Sequence, residues 1–153
     1  MRRVLVHEEL CMGCGLCEVY CTVQHSKSKD PVKAYRKESP KPVSRVKLVQ
    51  ERPVSFAIRC RNCEDAPCVQ ACLTGARSIA EDGQVVHDDE KCMGCLTCVM
   101  VCPWGAVWVD PYRHKAVVKC DLCPGRETPA CVENCPNNAL TVEEVVTVEE
   151  IQQ

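Results

Sequence analysis

Four runs of cysteine carry the chemistry this chain can do. Cys11, Cys14, Cys17 and Cys21 are spaced C-x2-C-x2-C-x3-C, and Cys92, Cys95, Cys98 and Cys102 repeat that spacing. Cys60, Cys63, Cys68 and Cys72 follow C-x2-C-x4-C-x3-C, and Cys120, Cys123, Cys131 and Cys135 follow C-x2-C-x7-C-x3-C. All sixteen cysteines of the 153-residue chain fall into these complete groups of four. Three thiolates crowded within seven residues wrap one face of a cubane cluster. The fourth, three residues on, leaves the loop and points elsewhere; in the C-x2-C-x2-C-x3-C-P run of two-cluster proteins it ligates the other cluster of the pair. Pro103 and Pro136 follow the fourth cysteine as in that run, whereas Thr22 and Leu73 stand there in the first two groups. The spacing therefore points to four [4Fe–4S] clusters, all sixteen cysteines ligating iron.

Two other chemistries use cysteine in this abundance. Disulfide scaffolds belong to oxidising compartments. Here charge returns at His7-Glu8-Glu9, so the N-terminus has no apolar signal-peptide core, and Arg2-Arg3 lacks the stretch a twin-arginine signal needs. Zinc sites are built from separated cysteine pairs rather than three crowded cysteines followed by a fourth. No apolar run approaches the roughly 20 residues of a membrane helix. The expectation is a cytoplasmic protein of anaerobic metabolism, without membrane insertion and folded around metal. The formal charge of −2 counts the cysteines as neutral; four clusters at about −2 each would bring the loaded protein to roughly −10. Lysines and arginines beside the cysteines then have buried negative charge to offset.

The elements that must position these thiols repeat with them. Cys102-Pro103-Trp104-Gly105-Ala106, Cys135-Pro136-Asn137-Asn138-Ala139 and Cys72-Leu73-Thr74-Gly75-Ala76 each precede a short apolar stretch. Each unit reads as a cysteine loop, a short helix bearing the fourth cysteine, a turn and a strand. Asp82-Gly83 turns a hairpin between Ile79-Ala80 and Gln84-Val85-Val86, and 110–115 turns another between 107–109 and 116–118. The first half of the cysteine-free segment 22–59 holds Lys27, Lys29, Lys33, Arg36, Lys37 and Lys41 among three prolines and reads as an exposed loop. Val43–Gln50 and Val54–Ile58 read as a longer hairpin, and the acidic tail from Glu143 stays unassigned.

The remaining candidates are weaker. His7, His25, His87 and His114 are surface or supporting residues, because cysteine fills every cluster position. Trp104 and Trp108 read as packing, and Lys119 as either a solvated side chain or one that acts on Cys120. The lysine-rich segment lacks the interleaved aromatics of a nucleic-acid patch, so no nucleic-acid partner is expected. No nucleophile–base pair, phosphate loop or dinucleotide fingerprint is present.

Lys119-Cys120-Asp121-Leu122-Cys123-Pro124-Gly125-Arg126 with Pro129-Ala130-Cys131-Val132-Glu133-Asn134-Cys135-Pro136, and Cys60-Arg61-Asn62-Cys63-Glu64-Asp65-Ala66-Pro67-Cys68, carry a family resemblance. Over residues 4–142 the chain resembles the four-cluster ferredoxin-like electron-transfer subunits of oxidoreductases. The resemblance implies an α+β fold of two nested dicluster units within one compact unit, 1–153. The outer unit is 1–25 plus 116–145, the inner unit 56–110, and 26–55 is a basic loop and β-hairpin insert. It also implies the ligand sets. One cluster takes Cys11, Cys14, Cys17 and Cys135, and another takes Cys120, Cys123, Cys131 and Cys21. A third takes Cys60, Cys63, Cys68 and Cys102, and the last takes Cys92, Cys95, Cys98 and Cys72. The protein would have no catalytic site of its own. Cys14–Cys21, continuing to His25-Ser26, is most similar to the iron–sulfur subunit that accompanies carbon monoxide dehydrogenase. That implies a carbon monoxide dehydrogenase catalytic subunit as donor and a second redox protein, such as a flavoprotein or hydrogenase, as acceptor. A tungsten or molybdenum aldehyde oxidoreductase subunit and a free polyferredoxin are the alternatives.

Overall fold

A residue in the left-handed region precedes the second cysteine of every group: Gly13 (φ 71°), Asn62 (φ 47°), Gly94 (φ 76°) and Leu122 (φ 58°). Glycine and asparagine tolerate this conformation and leucine does not, so at Leu122 the loop must be held by its surroundings, which bury it. The four loops share one backbone solution although their sequences differ. At Gly13 the loop is also crowded, since an added Cβ would stand 2.7 Å from the Gln50 side-chain amide.

The computed structural model describes residues 2–51, 53–112 and 117–144. The elements run β1 (Arg2–Val6), α1 (Leu16–Gln24), α2 (Pro31–Arg36), β2 (Val46–Glu51), β3 (Val54–Arg59), α3 (Pro67–Gln70), β4 (Arg77–Ile79), β5 (Val85–His87), α4 (Thr97–Met100), β6 (Trp108–Val109), β7 (Val117–Val118), α5 (Ala130–Glu133) and β8 (Leu140–Glu144). The fold is α+β, as the sequence predicts. Among the described residues the four sheets are all two-stranded and antiparallel.

The helices correct one expectation. α3, α4 and α5 are single turns that carry the third cysteine of their groups, Cys68, Cys98 and Cys131. The fourth cysteine lies just past the C-cap, where the chain has already turned away. Only α1 is long enough to hold both Cys17 and Cys21. A second correction concerns the basic segment, which contains α2. Asp30 caps that helix by accepting the Lys33 N–H at 2.8 Å, Pro31 fits its first turn, and Ala34 is buried beneath it.

The hairpins fall close to their expected places. β4 pairs with β5 in the register Ile79↔Val85. The Ala80 N–H donates to the Gln84 carbonyl and the Gly83 N–H to the Ala80 carbonyl, both at 2.8 Å, so the Asp-Gly pair sits in a longer loop than a two-residue turn. β6 and β7 pair Trp108↔Val118; His114 and most of the turn before β7 lie outside the described residues. β2 starts at Val46, three residues later than expected. β8 pairs with β1 at the opposite end of the sequence, Val4↔Val142 and Val6↔Leu140, a partnership no local pattern announces.

Two cores result. One packs Val4, Val46, Ala57, Leu122 and Leu140 around Cys17, Cys21, Cys60, Cys120 and Cys131. The other packs Ala66, Ala76, Val85 and Val107 around Cys68, Cys92 and Cys98. Cysteine thus does much of the work aliphatic residues do elsewhere, and Cys60, from the second group, sits in the core of the first and fourth. Among the described residues no helix is long and apolar enough to cross a membrane.

Candidate metal centre

The chain brings its cysteines together across groups. One cavity is lined by Cys11, Cys14 and Cys17 with Cys135, a second by Cys60, Cys63 and Cys68 with Cys102, and a third by Cys92, Cys95 and Cys98 with Cys72. Their volumes, open mouths included, are about 390, 330 and 310 Å3. In each case the fourth thiol comes from a different group than the first three. Cys21, Cys120, Cys123 and Cys131 are all buried. Burial raises the Cys131 pKa first, and repulsion from Cys120, Cys21 and Cys123 raises it further.

This electrostatic arrangement tests whether the residues fit an iron–sulfur cluster. Burial pushes the Cys17 thiol up to about 11 and the Cys21 thiol to about 12. Burial raises the Cys120, Cys123 and Cys131 thiols as well, so by itself the deepest quartet is neutral near pH 7. A bound metal deprotonates a coordinating thiol outright, so this quartet becomes four thiolates only around a cation. Buried cations surround the same sulfurs. The Lys119 ammonium, buried rather than solvated, donates to the Cys120 carbonyl at 2.6 Å. Buried Arg59 donates from Nη1 to the Cys60 carbonyl at 2.8 Å while its Nε has no partner. Its charge acts on Cys120, Cys131 and Cys60 together. Positive side chains gathered around thiols suit a centre whose net charge with its ligands is negative. The donor set and its surroundings fit a thiolate-ligated cluster.

A supporting network holds the deepest quartet. The Arg45 N–H donates to Cys21 Sγ at 3.1 Å. His25 donates from Nδ1 to the Cys21 carbonyl at 2.7 Å, and its Nε2 lies 3.1 Å from Asp121 Oδ1. Asp121 also accepts the Cys123 N–H at 3.1 Å and is bridged by the Arg45 guanidinium. Burial pushes the Asp121 carboxyl up, but the His25 bond and the Arg45 charge outweigh it and hold the pKa at about 2. Asp121 thereby ties α1, the segment leading to β2 and the fourth cysteine loop. Asp121→Ala strands Arg45 and His25 and should cost about 1–3 kcal/mol of stability, read as a lower guanidinium midpoint of the cluster absorbance under anaerobic conditions. An unchanged midpoint would show the network to be decorative.

The expectation that the histidines support rather than ligate suits His25. Trp104 is half-exposed and stacked under Arg61, whose guanidinium carbon lies 3.6 Å from the ring centroid. Sequence reasoning missed Arg45, Arg59, Asn62, Arg77 and Asp121. Asn62, fully buried, uses Oδ1 to accept the Val85 N–H at 3.2 Å, joining the second cysteine loop to β5. A signal existed for the arginine before Cys60, because a basic residue also stands before Cys92 and Cys120.

Residues 53–145 match the family described as 4Fe-4S dicluster domain. The chain is 37% identical to the electron transport protein HydN of Escherichia coli (strain K12), with 91% of this chain and 86% of that protein covered. It is 38% identical to one subunit of the polysulfide reductase of Wolinella succinogenes, with 90% of this chain and 73% of that subunit covered. The active site complex BamBC of benzoyl coenzyme A reductase in complex with 1,5-dienoyl-CoA contains a chain of similar fold, with a TM-score of 0.52 at 24% identity over 98% of this chain and 80% of that one.

Proposed function

The chain belongs to the 4Fe-4S dicluster domain family and is an iron–sulfur electron-transfer subunit of the oxidoreductase type, and from that premise we propose that it carries four [4Fe–4S] clusters and relays electrons from a carbon monoxide dehydrogenase catalytic subunit to a second redox protein. The observation that supports the four-cluster reading is that three cavities are each lined by three cysteines of one group and the fourth of another, which leaves Cys21, Cys120, Cys123 and Cys131 as a buried fourth set. The proposed ligand sets are Cys11, Cys14, Cys17 and Cys135; Cys21, Cys120, Cys123 and Cys131; Cys60, Cys63, Cys68 and Cys102; and Cys72, Cys92, Cys95 and Cys98. The outer unit, 1–25 with 116–145, would hold the first two, and the inner unit, 56–110, the last two.

When bound, each cluster takes up and gives up one electron at a potential set by its charge, its hydrogen bonds and its exposure. The chain's own residues govern those three quantities. Lys119 and Arg59 supply positive charge, the Arg45 N–H reaches a ligand sulfur, and the two cores exclude water. Exposure differs among the quartets: Cys14 and Cys95 are exposed, whereas the Cys21 quartet is wholly buried. Both exposed cysteines stand in the sequence Cys-Met-Gly-Cys, and the two methionines, Met12 and Met93, are 62% and 63% exposed. Leu73, next to Cys72, is also exposed. Apolar side chains beside two cluster sites support a docked subunit over a free polyferredoxin, because a docked partner would cover them. The Cys14 and Cys95 sites are accordingly the two ends of the relay. The donor's identity rests on the likeness of Cys14–Cys21 and His25-Ser26 to subunits that accompany carbon monoxide dehydrogenase.

Anaerobic purification should give a brown protein with about sixteen iron atoms per chain. Carbon monoxide with catalytic amounts of its dehydrogenase should then bleach the visible absorbance within the dead time of manual mixing. Rapid bleaching by an aldehyde oxidoreductase and its aldehyde, with none by carbon monoxide, would overturn the donor assignment. An iron content of about eight would overturn the four-cluster count.

A further inference from the structure

Arg77 breaks the internal repeat. In the third and fourth cysteine groups the alanine that closes the turn after the fourth cysteine, Ala106 or Ala139, is followed by Val107 or Leu140, both buried aliphatic residues. In the second group the corresponding Ala76 is followed by Arg77. The position stays as buried as in its counterparts, with Arg77 2% exposed. A guanidinium therefore occupies a slot the fold elsewhere fills with hydrocarbon. None of its three nitrogens meets an oxygen or nitrogen acceptor, although the group carries five N–H donors and a permanent charge. Native proteins rarely bury such a group without an anion to face.

Its surroundings identify the anion. Arg77 lines the cavity of Cys72, Cys92, Cys95 and Cys98. The same guanidinium is in side-chain contact with Cys68 of the neighbouring quartet. His87 shares the cavity, but an imidazole, neutral or protonated, carries no negative charge to face the guanidinium. Among the residues lining the cavity, the cysteine sulfurs are the groups that can carry negative charge.

We propose that Arg77 is a potential-setting residue, its guanidinium placed between the Cys60–Cys63–Cys68–Cys102 and Cys72–Cys92–Cys95–Cys98 sites so that it stabilises the added electron at both. This deepens the four-cluster reading and rests on it. The step at each site is a one-electron gain with no bond made or broken; the electron comes from a redox partner, or from dithionite in vitro, and Arg77 stays protonated throughout. Because reduction adds one negative charge beside a fixed positive one, Arg77 raises both inner potentials above those of an aliphatic counterpart.

The test is a potentiometric titration followed by electron paramagnetic resonance on anaerobically purified protein. Arg77→Leu places there the residue the fourth group already accommodates, Arg77→Gln is a second neutral variant should leucine load poorly, and Arg77→Lys keeps the charge. Iron content is measured first, since wild-type protein without about sixteen irons per chain fails the underlying reading and not the Arg77 proposal. With full loading, Arg77→Leu should move two of the four one-electron midpoints downward by at least a tenfold change in the reduced-to-oxidised ratio, which is 59 mV for one electron. The other two midpoints should stay in place, and Arg77→Lys should recover most of the shift. Unchanged midpoints, an equal shift of all four, or a lysine variant displaced as far as leucine would each overturn the proposal.

Discussion

Stripping iron anaerobically with a chelator is expected to unfold the protein rather than leave an empty scaffold. Cysteine contributes five members to the buried part of one core and three to that of the other, and three of the five α-helices among the described residues are single turns of four residues. Helices that short do not persist without tertiary support, and isolated two-stranded sheets are marginal at best. Electrostatics adds to the loss. With the clusters gone, Arg59, Arg77 and Lys119 would remain buried without the negative charge they face, at a cost of several kcal/mol for each uncompensated ion. A chain of this length cannot absorb that sum from a stability of about 5–15 kcal/mol. Small-angle scattering should show the radius of gyration rising from about 15 Å toward about 40 Å, with loss of the far-ultraviolet dichroism of strands and helices. A chelated protein that kept the compact radius would mean that the two cores stand without metal.

The same physics explains what could be foreseen from the residues alone. The repeat, the α+β class and three of the four strand pairs among the described residues follow from local spacing, because cysteine loops, turn glycines and alternating apolar residues act over a few positions. The β1–β8 pair escaped, since Arg2–Val6 and Leu140–Glu144 lie at opposite ends of the chain and neither names its partner. α2 escaped because six basic residues and three prolines masked a short Asp-Pro helix start. The short helices were expected to bear the fourth cysteine and bear the third instead. Spacing says how far the fourth cysteine stands from the third, but not that the chain leaves the helix between them. Arg77 escaped for a different reason: a buried arginine and an exposed one look alike in sequence. Only comparison of the repeats, where Val107 and Leu140 fill the place of Arg77, carries a hint.

The proposed crossing of ligands between groups makes a sharper demand than any count of cysteines, and it can be met by measuring iron. Cys135 leaves the end of α5 and lines the cavity of Cys11, Cys14 and Cys17, whereas its groupmate Cys131 is buried near Cys21, Cys120 and Cys123. Cys135→Ser should therefore damage the cluster of the first group and spare that of its own, lowering the iron content by about four atoms per chain. Pairing the substitutions gives the decision. Cys11→Ser with Cys135→Ser removes two ligands from one cluster, so the double variant should lose no more iron than either single variant. Cys131→Ser with Cys135→Ser touches two clusters, so its losses should add, to about eight atoms. If each group instead served its own cluster, the pattern would reverse: the first pair would be additive and the second would not. The same logic applies to the inner unit, where Cys72→Ser should behave as one with Cys92→Ser and as independent of Cys60→Ser. The deeper outer cluster carries the heavier structural penalty. Cys131 lies among buried thiols within the first core, so Cys131→Ser should also lower the yield of folded protein, whereas the more accessible Cys135→Ser should not.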